Sequence, residues 1–415
     1  RKFKPRKGLS RRFWRHLSDV SPVWGRRYLA HVMRRRIRVV AKPKSAPAEP
    51  VTVAAFFRTH LGIAQAARLL ADSLQAAQVD VRRLDCSELL PHEKTETAPP
   101  VESLASTGTL IFAVNPPELY KLFRRYGPDI CAGKRLIGYW WWELDRLPAD
   151  WRRWASAMHE IWVSSEFLRE VFSHELPGKI VRLVPLPIAA PTPSALTRAD
   201  FGIPAGRFTV LTAFDLQSGR VRKNPEGAIE AFRRAFPDSN AAHLVLKVTG
   251  AAGAPQDAAR LRALIAGLPN VTLIDRFLPA ADLSALVGQC DALLSLHRAE
   301  GLGLFLAEAM WLGRPIVATG WSGALQLIDD SHAMLVRYKK VPVRPGDYAW
   351  VPAGAEWAEP DLDHAAECLR RLAADPGLRA ELGRLSLEKA RREFDLEVFR
   401  RKARALTGLE NPGRD

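Results

Sequence analysis

The stretch Cys290-Asp-Ala-Leu-Leu-Ser-Leu-His-Arg-Ala-Glu-Gly-Leu-Gly-Leu-Phe-Leu-Ala-Glu-Ala-Met310 decides the fold. Its first residues are apolar and predict a buried strand that ends near Leu296, and its last residues predict a helix that begins near Gly303. The loop between them contains Glu300 and Gly301. A glycine-rich turn from a strand into a helix exposes unpaired backbone N–H groups and the positive end of the helix dipole. The stretch therefore predicts an α/β unit with an anion site that suits a pyrophosphate.

Short apolar strands alternate with amphipathic helices on both sides of this stretch, in two blocks. In the first block we expect strands at 51–57, 79–84, 109–114, 135–140, 160–164 and 180–184, with helices at 62–77 and 148–158. In the second block we expect strands at 208–214, 243–248, 271–276, 291–296, 315–319 and 333–337, with helices near 225–236, 258–267, 280–289, 303–313 and 363–374. Each block indicates a parallel sheet covered on both faces.

The predicted fold class is therefore α/β, with two doubly wound, Rossmann-like domains that face a cleft. A proline-rich linker at 185–193 separates an N-terminal domain, 51–190, from a C-terminal domain, 200–395, and a helix and tail follow at 396–415. A length of 415 residues with 47% hydrophobic content agrees with two domains and a substantial core. Ligands of such folds bind beyond the carboxyl ends of the strands, so we expect the site in the cleft.

The four cysteines are widely scattered, without a CxxC pair or a Cys/His cluster. We therefore expect free, buried thiols in a reducing compartment rather than disulfides or a zinc site. No apolar run approaches the ~20 residues that a membrane span needs, which predicts a soluble or peripheral protein. The first residue is Arg1 rather than Met, which is compatible with a piece of a longer protein.

The positive charge is concentrated in an N-terminal arm, residues 1–44. The whole chain has a net charge of +16, and the arm alone contains 16 Lys/Arg and one acid, Asp19. Aromatic residues are interleaved with these cations in two predicted short helices. The pattern suits an anionic membrane surface, a solvated tail or helix packed on the domain, or a nucleic acid, and the sequence leaves all three open.

Glu300 and Glu308 have the spacing of a known signature. The segment resembles the E-x7-E motif of the retaining glycosyltransferases of family 4, which adopt the GT-B fold, and in particular their polysaccharide-assembly branch with its mannosyl- and glucosyltransferases. Further segments match that family in the expected order: Gly138–Leu144, Glu160–Phe167, Arg222–Phe232, Thr319–Gly323 and Trp357–Asp361. The resemblance extends from about residue 51 to 395.

The resemblance implies a role for each matching residue. Glu300 would hold hydroxyls of the donor sugar, and Glu308 the ribose of the nucleotide. Lys223, with Arg222 or Arg220, would neutralise the diphosphate leaving group. The remaining implied donor-site positions are Gly62 in the N-terminal domain and the backbone amides of Gly303 and Leu304.

Several positions depart from the family pattern. Ser218 stands where many members have an arginine, and Ala324 and Gln326 stand where the branch has Asn and Asp. On the N-terminal side, Trp141, Trp142 and Glu143 occupy the region of a histidine used in other branches. The tryptophans would serve either as core or dimer contacts or as a stacking platform for a sugar acceptor.

The expected activity is retaining hexosyl transfer. The donor would be of the GDP-mannose or UDP-glucose type, and the acceptor a polysaccharide or a polyprenyl-linked glycan. The sequence has no convincing DxD-type cluster, so we expect no metal and no cofactor, with the cations at Lys223 and its neighbours serving instead. The basic arm would place the protein at the cytoplasmic face of the membrane. Two rival functions are a catalytically degenerate nucleotide- or glycan-binding module and a nucleic-acid-associated protein.

Overall fold

The computed structural model describes residues 49–59, 61–90, 105–238 and 240–407. The arm at 1–44, and with it the three interpretations of its basic helices, lies outside the described residues, as do His60 and the tail after residue 407.

The N-terminal domain is a six-stranded parallel sheet with the strand order β2-β1-β3-β4-β5-β6. Its strands are β1 Val51–Ala55, β2 Val81–Asp85, β3 Gly108–Phe112, β4 Lys134–Tyr139, β5 Glu160–Val163 and β6 Ile180–Leu183. Its helices are α1 Gly62–Ala76, α2 Pro116–Tyr126, α3 Ala149–Ala157 and α4 Glu166–Glu175. The strands consist largely of buried residues, because helices cover both faces of the sheet.

The C-terminal domain repeats this architecture with the strand order β12-β11-β10-β7-β8-β9. Its strands are β7 Phe208–Asp215, β8 Ala242–Thr249, β9 Val271–Ile274, β10 Ala292–Ser295, β11 Ile316–Thr319 and β12 Met334–Val336. Its first helices are α5 Arg220–Lys223, α6 Pro225–Ala235, α7 Pro255–Ile265, α8 Ala280–Gln289 and α9 Leu304–Trp311. An antiparallel hairpin follows, β13 Tyr338–Pro342 and β14 Glu356–Pro360, and then α10 Leu362–Ala374, α11 Pro376–Glu393 and α12 Leu396–Thr407.

Most predicted elements are confirmed to within a few residues. The exceptions are α2, α4, the short helix α5 and the β13–β14 hairpin, for which no element was predicted; α9, expected at 303–313, spans Leu304–Trp311. All four cysteines are free and buried, as expected. Among the described residues, no helix is both long and apolar enough to cross a bilayer.

The two domains are packed together along one side of the cleft. A continuous apolar cluster includes both the N-terminal core and the side of the C-terminal sheet that α8 and α9 cover. Polar contacts also cross the boundary, among them those of Ser165 Oγ, which donates to the Gly301 carbonyl at 3.0 Å, of the Glu166 amide to Gln326 Oε1 at 2.9 Å, and of the Glu356 amide to Asp145 Oδ1 at 2.9 Å.

The last helix returns to the first domain. Helix α11 packs on α9 in the C-terminal domain, whereas α12 packs on α1 in the N-terminal domain. Phe399 and Ala403 of α12 are buried, and the Ile188 amide donates to the Phe394 carbonyl at 2.8 Å near the crossing point.

Candidate active site

The candidate site is a cavity of about 440 Å³ between the two domains. The ends of β7, β8 and β10 and the start of α9 line it on one side, and the start of α1 and the loop after β4 line it on the other. The cavity thus lies where the carboxyl ends of two parallel sheets face each other, which is the usual ligand site of this architecture.

A buried cluster of opposite charges forms one end of the cavity. Lys223 Nζ donates a hydrogen bond to Glu300 Oε1, and Arg222 Nη1 lies 3.3 Å from the same oxygen. Arg222 and Glu300 are only 4% and 8% exposed, so water screens this cluster poorly. The two cations that the sequence assigned to a leaving group and the carboxylate assigned to a sugar therefore lie in direct contact.

The cluster shifts the pKa of each of its members. Burial opposes ionisation of Glu300, but the charges of Lys223 and Arg222 outweigh it and lower its pKa to about 2. Burial also dominates at Lys223, where it lowers the pKa despite the attraction of Glu300. For Arg222 burial is outweighed by the carboxylates of Glu300 and Glu143, and its pKa is raised. At neutral pH Glu300 is therefore an anion that accepts hydrogen bonds.

The backbone around Glu300 is held by two residues of the following turn. Ser322, in the left-handed region at φ 69°, accepts a hydrogen bond from the Glu300 amide at 2.9 Å. The Gly323 amide donates to the Glu300 carbonyl at 2.8 Å. A Cβ at position 323 would lie 2.0 Å from the Gly301 carbonyl oxygen, so this position admits only glycine. The turn after β11 therefore fixes the position of the loop that contains Glu300.

The two cations are positioned by the short helix α5 and the helix that follows it. Asn224, in the left-handed region at φ 53°, ends α5 and caps α6: its Oδ1 accepts from the Gly227 amide at 3.2 Å, and its Nδ2 donates to the Leu296 carbonyl at 2.9 Å. Arg222 donates to the Ala299 carbonyl at 2.8 Å. The side chain of Asn224 thus ties the cations to the end of β10.

Two helix N-termini face the cavity. Gly303, at φ 90°, caps α9 without a side-chain partner, and Gly303 and Leu304 both line the cavity. Gly62 begins α1 on the opposite side and also lines it. Neither helix has an acidic residue in its first turn, so the positive ends of both dipoles act on the cavity.

The other predicted donor-site residues occupy different environments. Glu308 lies on α9, accepts a hydrogen bond from Ser284 Oγ at 2.6 Å and is not among the residues that line the cavity. Burial raises its pKa, opposite to the shift at Glu300. Arg220 points away from the cavity and pairs with Asp257 and Glu226. Ser218 lines the cavity, and its carbonyl accepts from Arg222 Nε and Nη2 at 3.2 and 3.0 Å.

The predicted acceptor-side residues also differ in whether they line the cavity. Trp141 and Glu143 line the cavity. Trp142 is buried in the core, where its ring lies 5.1 Å from that of Trp151 and 5.6 Å from that of Tyr348. Of the two tryptophans, only Trp141 is therefore placed to contact a ligand in this cavity.

Sequence reasoning missed three residues around this site. Tyr348, in the loop of the β13–β14 hairpin, donates a hydrogen bond to Glu143 and lies with its ring 5.8 Å from the Arg222 guanidinium. Lys247 and Asp215 line the cavity from β8 and β7. A lone buried lysine in the apolar strand Ala242–Thr249 was the one available signal, because few strands bury an amine without a reason.

Within the described residues, no group of three or more His, Cys, Asp or Glu side chains is arranged to hold a metal ion.

Sequence comparison links this site to a known family model. Residues 216–343, which contain the cation cluster and Glu300, match the model described as "Glycosyl transferases group 1". The chain is also 28% identical over 209 residues to D-inositol 3-phosphate glycosyltransferase of Arthrobacter sp. (strain FB24). That match covers 48% of this chain and 42% of the relative, so the chain spans less than half of the relative's length.

Solved structures share the fold over a larger part of the chain. Anabaena HepE, determined in complex with UDP and glucose, has a TM-score of 0.62 at 14% identity and covers 87% of this chain and 100% of its own. A glycosyltransferase from Rickettsia africae ESF-5 has a TM-score of 0.63 at 11% identity, over 88% of this chain and 100% of its own. WaaG, a glycosyltransferase of lipopolysaccharide biosynthesis, has a TM-score of 0.56 at 18% identity, over 86% and 100%. The architecture is therefore the GT-B fold, and residues 216–343 of its C-terminal domain match the model of group 1 glycosyl transferases.

Proposed function

We propose that the protein is a glycosyltransferase that moves a hexose from a nucleoside diphosphate sugar to a glycan. The observation that carries this proposal is the contact of Lys223 and Arg222 with Glu300 at one end of the cavity. Two helix N-termini face the same cavity. HepE, which shares the fold, was determined with UDP and glucose bound, and this agrees with a donor of that class.

The chemistry follows from where charge develops. Breaking a glycosyl–phosphate bond leaves negative charge on the diphosphate, and fixed cations and backbone N–H groups in a poorly hydrated cleft stabilise that charge. Lys223, Arg222 and the amides at Gly303 and Leu304 would provide this stabilisation. Glu300, held ionised, would accept hydrogen bonds from the hydroxyls of the transferred sugar.

The finer parts of the proposal concern stereochemistry, donor and metal. The family resemblance supports membership of family 4 and retention of the anomeric configuration, with mannose or glucose as the hexose. With two buried cations at the leaving group, the reaction would proceed without a metal. Turnover should therefore persist in EDTA, and nuclear magnetic resonance of the first product should show the donor's anomeric configuration.

The acceptor would be a growing polysaccharide or a polyprenyl-linked glycan, with Trp141 and Glu143 on its side of the cleft. The arm at 1–44, with about +15 of the chain's net charge of +16, would hold the protein peripherally on the inner face of the cell membrane. Deletion of the arm should abolish sedimentation with vesicles that contain anionic lipid while leaving turnover of soluble acceptors unchanged.

The decisive experiment is a nucleotide-sugar panel. The purified protein is incubated with UDP-glucose, GDP-mannose and related donors plus a lipid-linked glycan extract, and release of the nucleoside diphosphate is measured. Glu300→Ala should lose turnover while keeping a folded circular dichroism spectrum at the assay temperature, and Glu381→Ala, an exposed change on α11, should keep turnover. Full activity in Glu300→Ala would contradict the site assignment.

A binding module without catalysis is the second candidate. It is favoured by Ser218, which replaces the arginine of many family members, and by Ala324 and Gln326, which replace the Asn and Asp of the family branch. Calorimetric binding of nucleotide sugars, with neither transfer nor hydrolysis for any donor and acceptor tested, would support it.

A further inference from the structure

Two polar residues on β7 and β8 form a second polar part of the cavity wall, apart from the Glu300 cluster. Lys247 is 3% exposed and lines the cavity, and its Nζ donates to the Val248 carbonyl at 2.9 Å. An ammonium group has three N–H donors, and the described residues show one hydrogen bond for it. Burying an amine in a strand costs free energy unless a partner repays it. The side chain is therefore better explained by a ligand than by packing.

Asp215 lies beside this amine on the same face of the sheet. Ala213 pairs with Lys247 in the parallel register, and Asp215, two residues further along β7, has its side chain on the same face as Ala213. Asp215 Oδ1 accepts from the Gln217 amide at 2.9 Å. A Cβ at Gly250 would lie 2.3 Å from that oxygen, so the absence of a side chain there lets the carboxylate lie over the end of β8.

The position of this pair relative to the charge cluster indicates which part of a ligand it meets. The cations of the cluster, with the start of α9, would hold a diphosphate next to β10. Strands β7 and β8 follow β10 in the sheet order, so Lys247 and Asp215 lie to one side of the diphosphate position at β10. Glu300, which would hold the sugar, belongs to the cluster itself. The nucleoside is the remaining part of the donor, and the β7–β8 side of the cavity is open to it.

We propose that Lys247 and Asp215 read the base of the donor nucleotide and select a keto base, uracil or guanine. The Lys247 amine donates hydrogen bonds and the Asp215 carboxylate accepts them. This pair matches the adjacent carbonyl and N–H of the two bases, which are O4 and N3–H in uracil and O6 and N1–H in guanine. Cytosine and adenine present the reverse order, an amino donor beside a ring-nitrogen acceptor. The inference rests on the proposed function, because it assumes that the cavity takes a nucleotide.

The charge state of Lys247 is compatible with this role. Burial and the nearby Arg276 lower its pKa to about 8, while Asp275 and Asp215 counteract them. At neutral pH the group is therefore mostly a cation, and a donor in either of its protonation states.

The test measures the affinity of UDP, GDP, CDP and ADP by calorimetry for the wild type, Lys247→Met and Asp215→Asn. The wild type should bind UDP or GDP at least tenfold more tightly than CDP and ADP. Lys247→Met, which keeps an unbranched apolar side chain and removes the terminal amine, should lose about tenfold in affinity for the keto nucleotides and less than twofold for the others. Asp215→Asn should reduce the same preference through a different atom, so the proposal does not depend on the folding of one variant.

The controls separate this inference from the proposed function. Lys223→Met should weaken all four nucleotides alike, because it acts on the diphosphate, and Lys339→Met, on the exposed strand β13, should change none. Equal affinity of the wild type for all four nucleotides, or an unchanged preference in both variants, would overturn the inference and leave the glycosyltransferase proposal standing. If no nucleotide binds the wild type and no nucleotide sugar is turned over, the proposed function itself fails.

Discussion

The two walls of the cleft differ in how they hold charge. The C-terminal wall contributes Arg222, Lys223, Lys247 and Glu300, all on or next to the ends of buried strands. Of the described residues, the N-terminal wall contributes the carboxylate of Glu143, beside Trp141 and the start of α1. Arg222 and Lys247 donate hydrogen bonds to the backbone of their own wall, whereas Glu143 is bonded across the cleft to Tyr348. In the proposed reaction, a wall whose charges are held in place suits the nucleotide-sugar donor, on which negative charge develops. The other wall suits the acceptor.

The largest effect is expected when the charged wall loses the amine of Lys223. Lys223→Met should lower turnover by about 10²–10³-fold, because a fixed group that stabilises developing charge in a closed site contributes about that much. Initial rates with the preferred donor measure it, and Lys339→Met, exposed on β13, is the matched control. A loss below tenfold would mean that the charged wall does not carry the chemistry.

The next effect concerns the turn that holds Glu300. Gly323→Ala places a Cβ against the Gly301 carbonyl, and overpacking of this kind costs about 1–3 kcal/mol of the free energy of unfolding. Turnover should fall in parallel as the loop moves. Chemical denaturation and initial rates are compared with Gly288→Ala on α8, where a Cβ meets nothing within 4 Å and stability should stay or rise. Equal behaviour of the two variants would refute the close packing of this turn.

A smaller effect is expected from the bond between the walls. Tyr348→Phe keeps the ring contacts with Trp142 and Arg222 but removes the hydrogen bond to Glu143. A hydrogen bond to a charged group contributes about 1.5–3 kcal/mol, and the lower end of this range corresponds to the loss of turnover of about tenfold that we expect.

A double-mutant cycle with Glu143→Gln assigns that loss, because the two changes should be non-additive. Trp350→Phe, on the same loop and 38% exposed, should have little effect. Additive losses would show that Tyr348 acts through another partner.

The smallest effect is a pH dependence of stability. The folded pKa of Glu300 is about 2, below the ordinary value of about 4.3, so its pairing stabilises the fold above pH ~4. That contribution is lost as pH falls from about 4 towards 2. The free energy of unfolding of the wild type minus that of Glu300→Gln should therefore shrink between pH 5 and 3 in denaturant titrations. A difference that grows on acidification would show that the cations do not hold this carboxylate ionised.

The sequence predicted the parts of the molecule that depend on local pattern. Strand and helix periodicity located both sheets, and the family resemblance of the segments around Glu300 and Lys223 predicted that both residues lie at one site. It could not show that the two are in direct contact, because 77 residues separate them and sheet packing decides the distance. Lys247 and Asp215 lie near each other because of the register of β7 and β8. Tyr348 reaches the site through the β13–β14 hairpin, which the sequence pattern did not predict. Glu308 illustrates the reverse case: the resemblance assigns it to the donor site, whereas its side chain accepts a hydrogen bond from Ser284 and is not among the residues that line the cavity.

The return of α12 to α1 has a consequence for folding during synthesis. Of the two domains, the N-terminal one leaves the ribosome before the C-terminal one, yet α1 packs on a helix that is made after the C-terminal sheet, residues 396–407. Until then the outer side of α1 lacks the cover of Phe399 and Ala403, which are buried in the complete fold. Because domains generally fold as they emerge, we expect the first domain to wait in an incompletely covered state. The start of α1 lines the cavity, so both walls of the cleft would become complete only when α12 has docked.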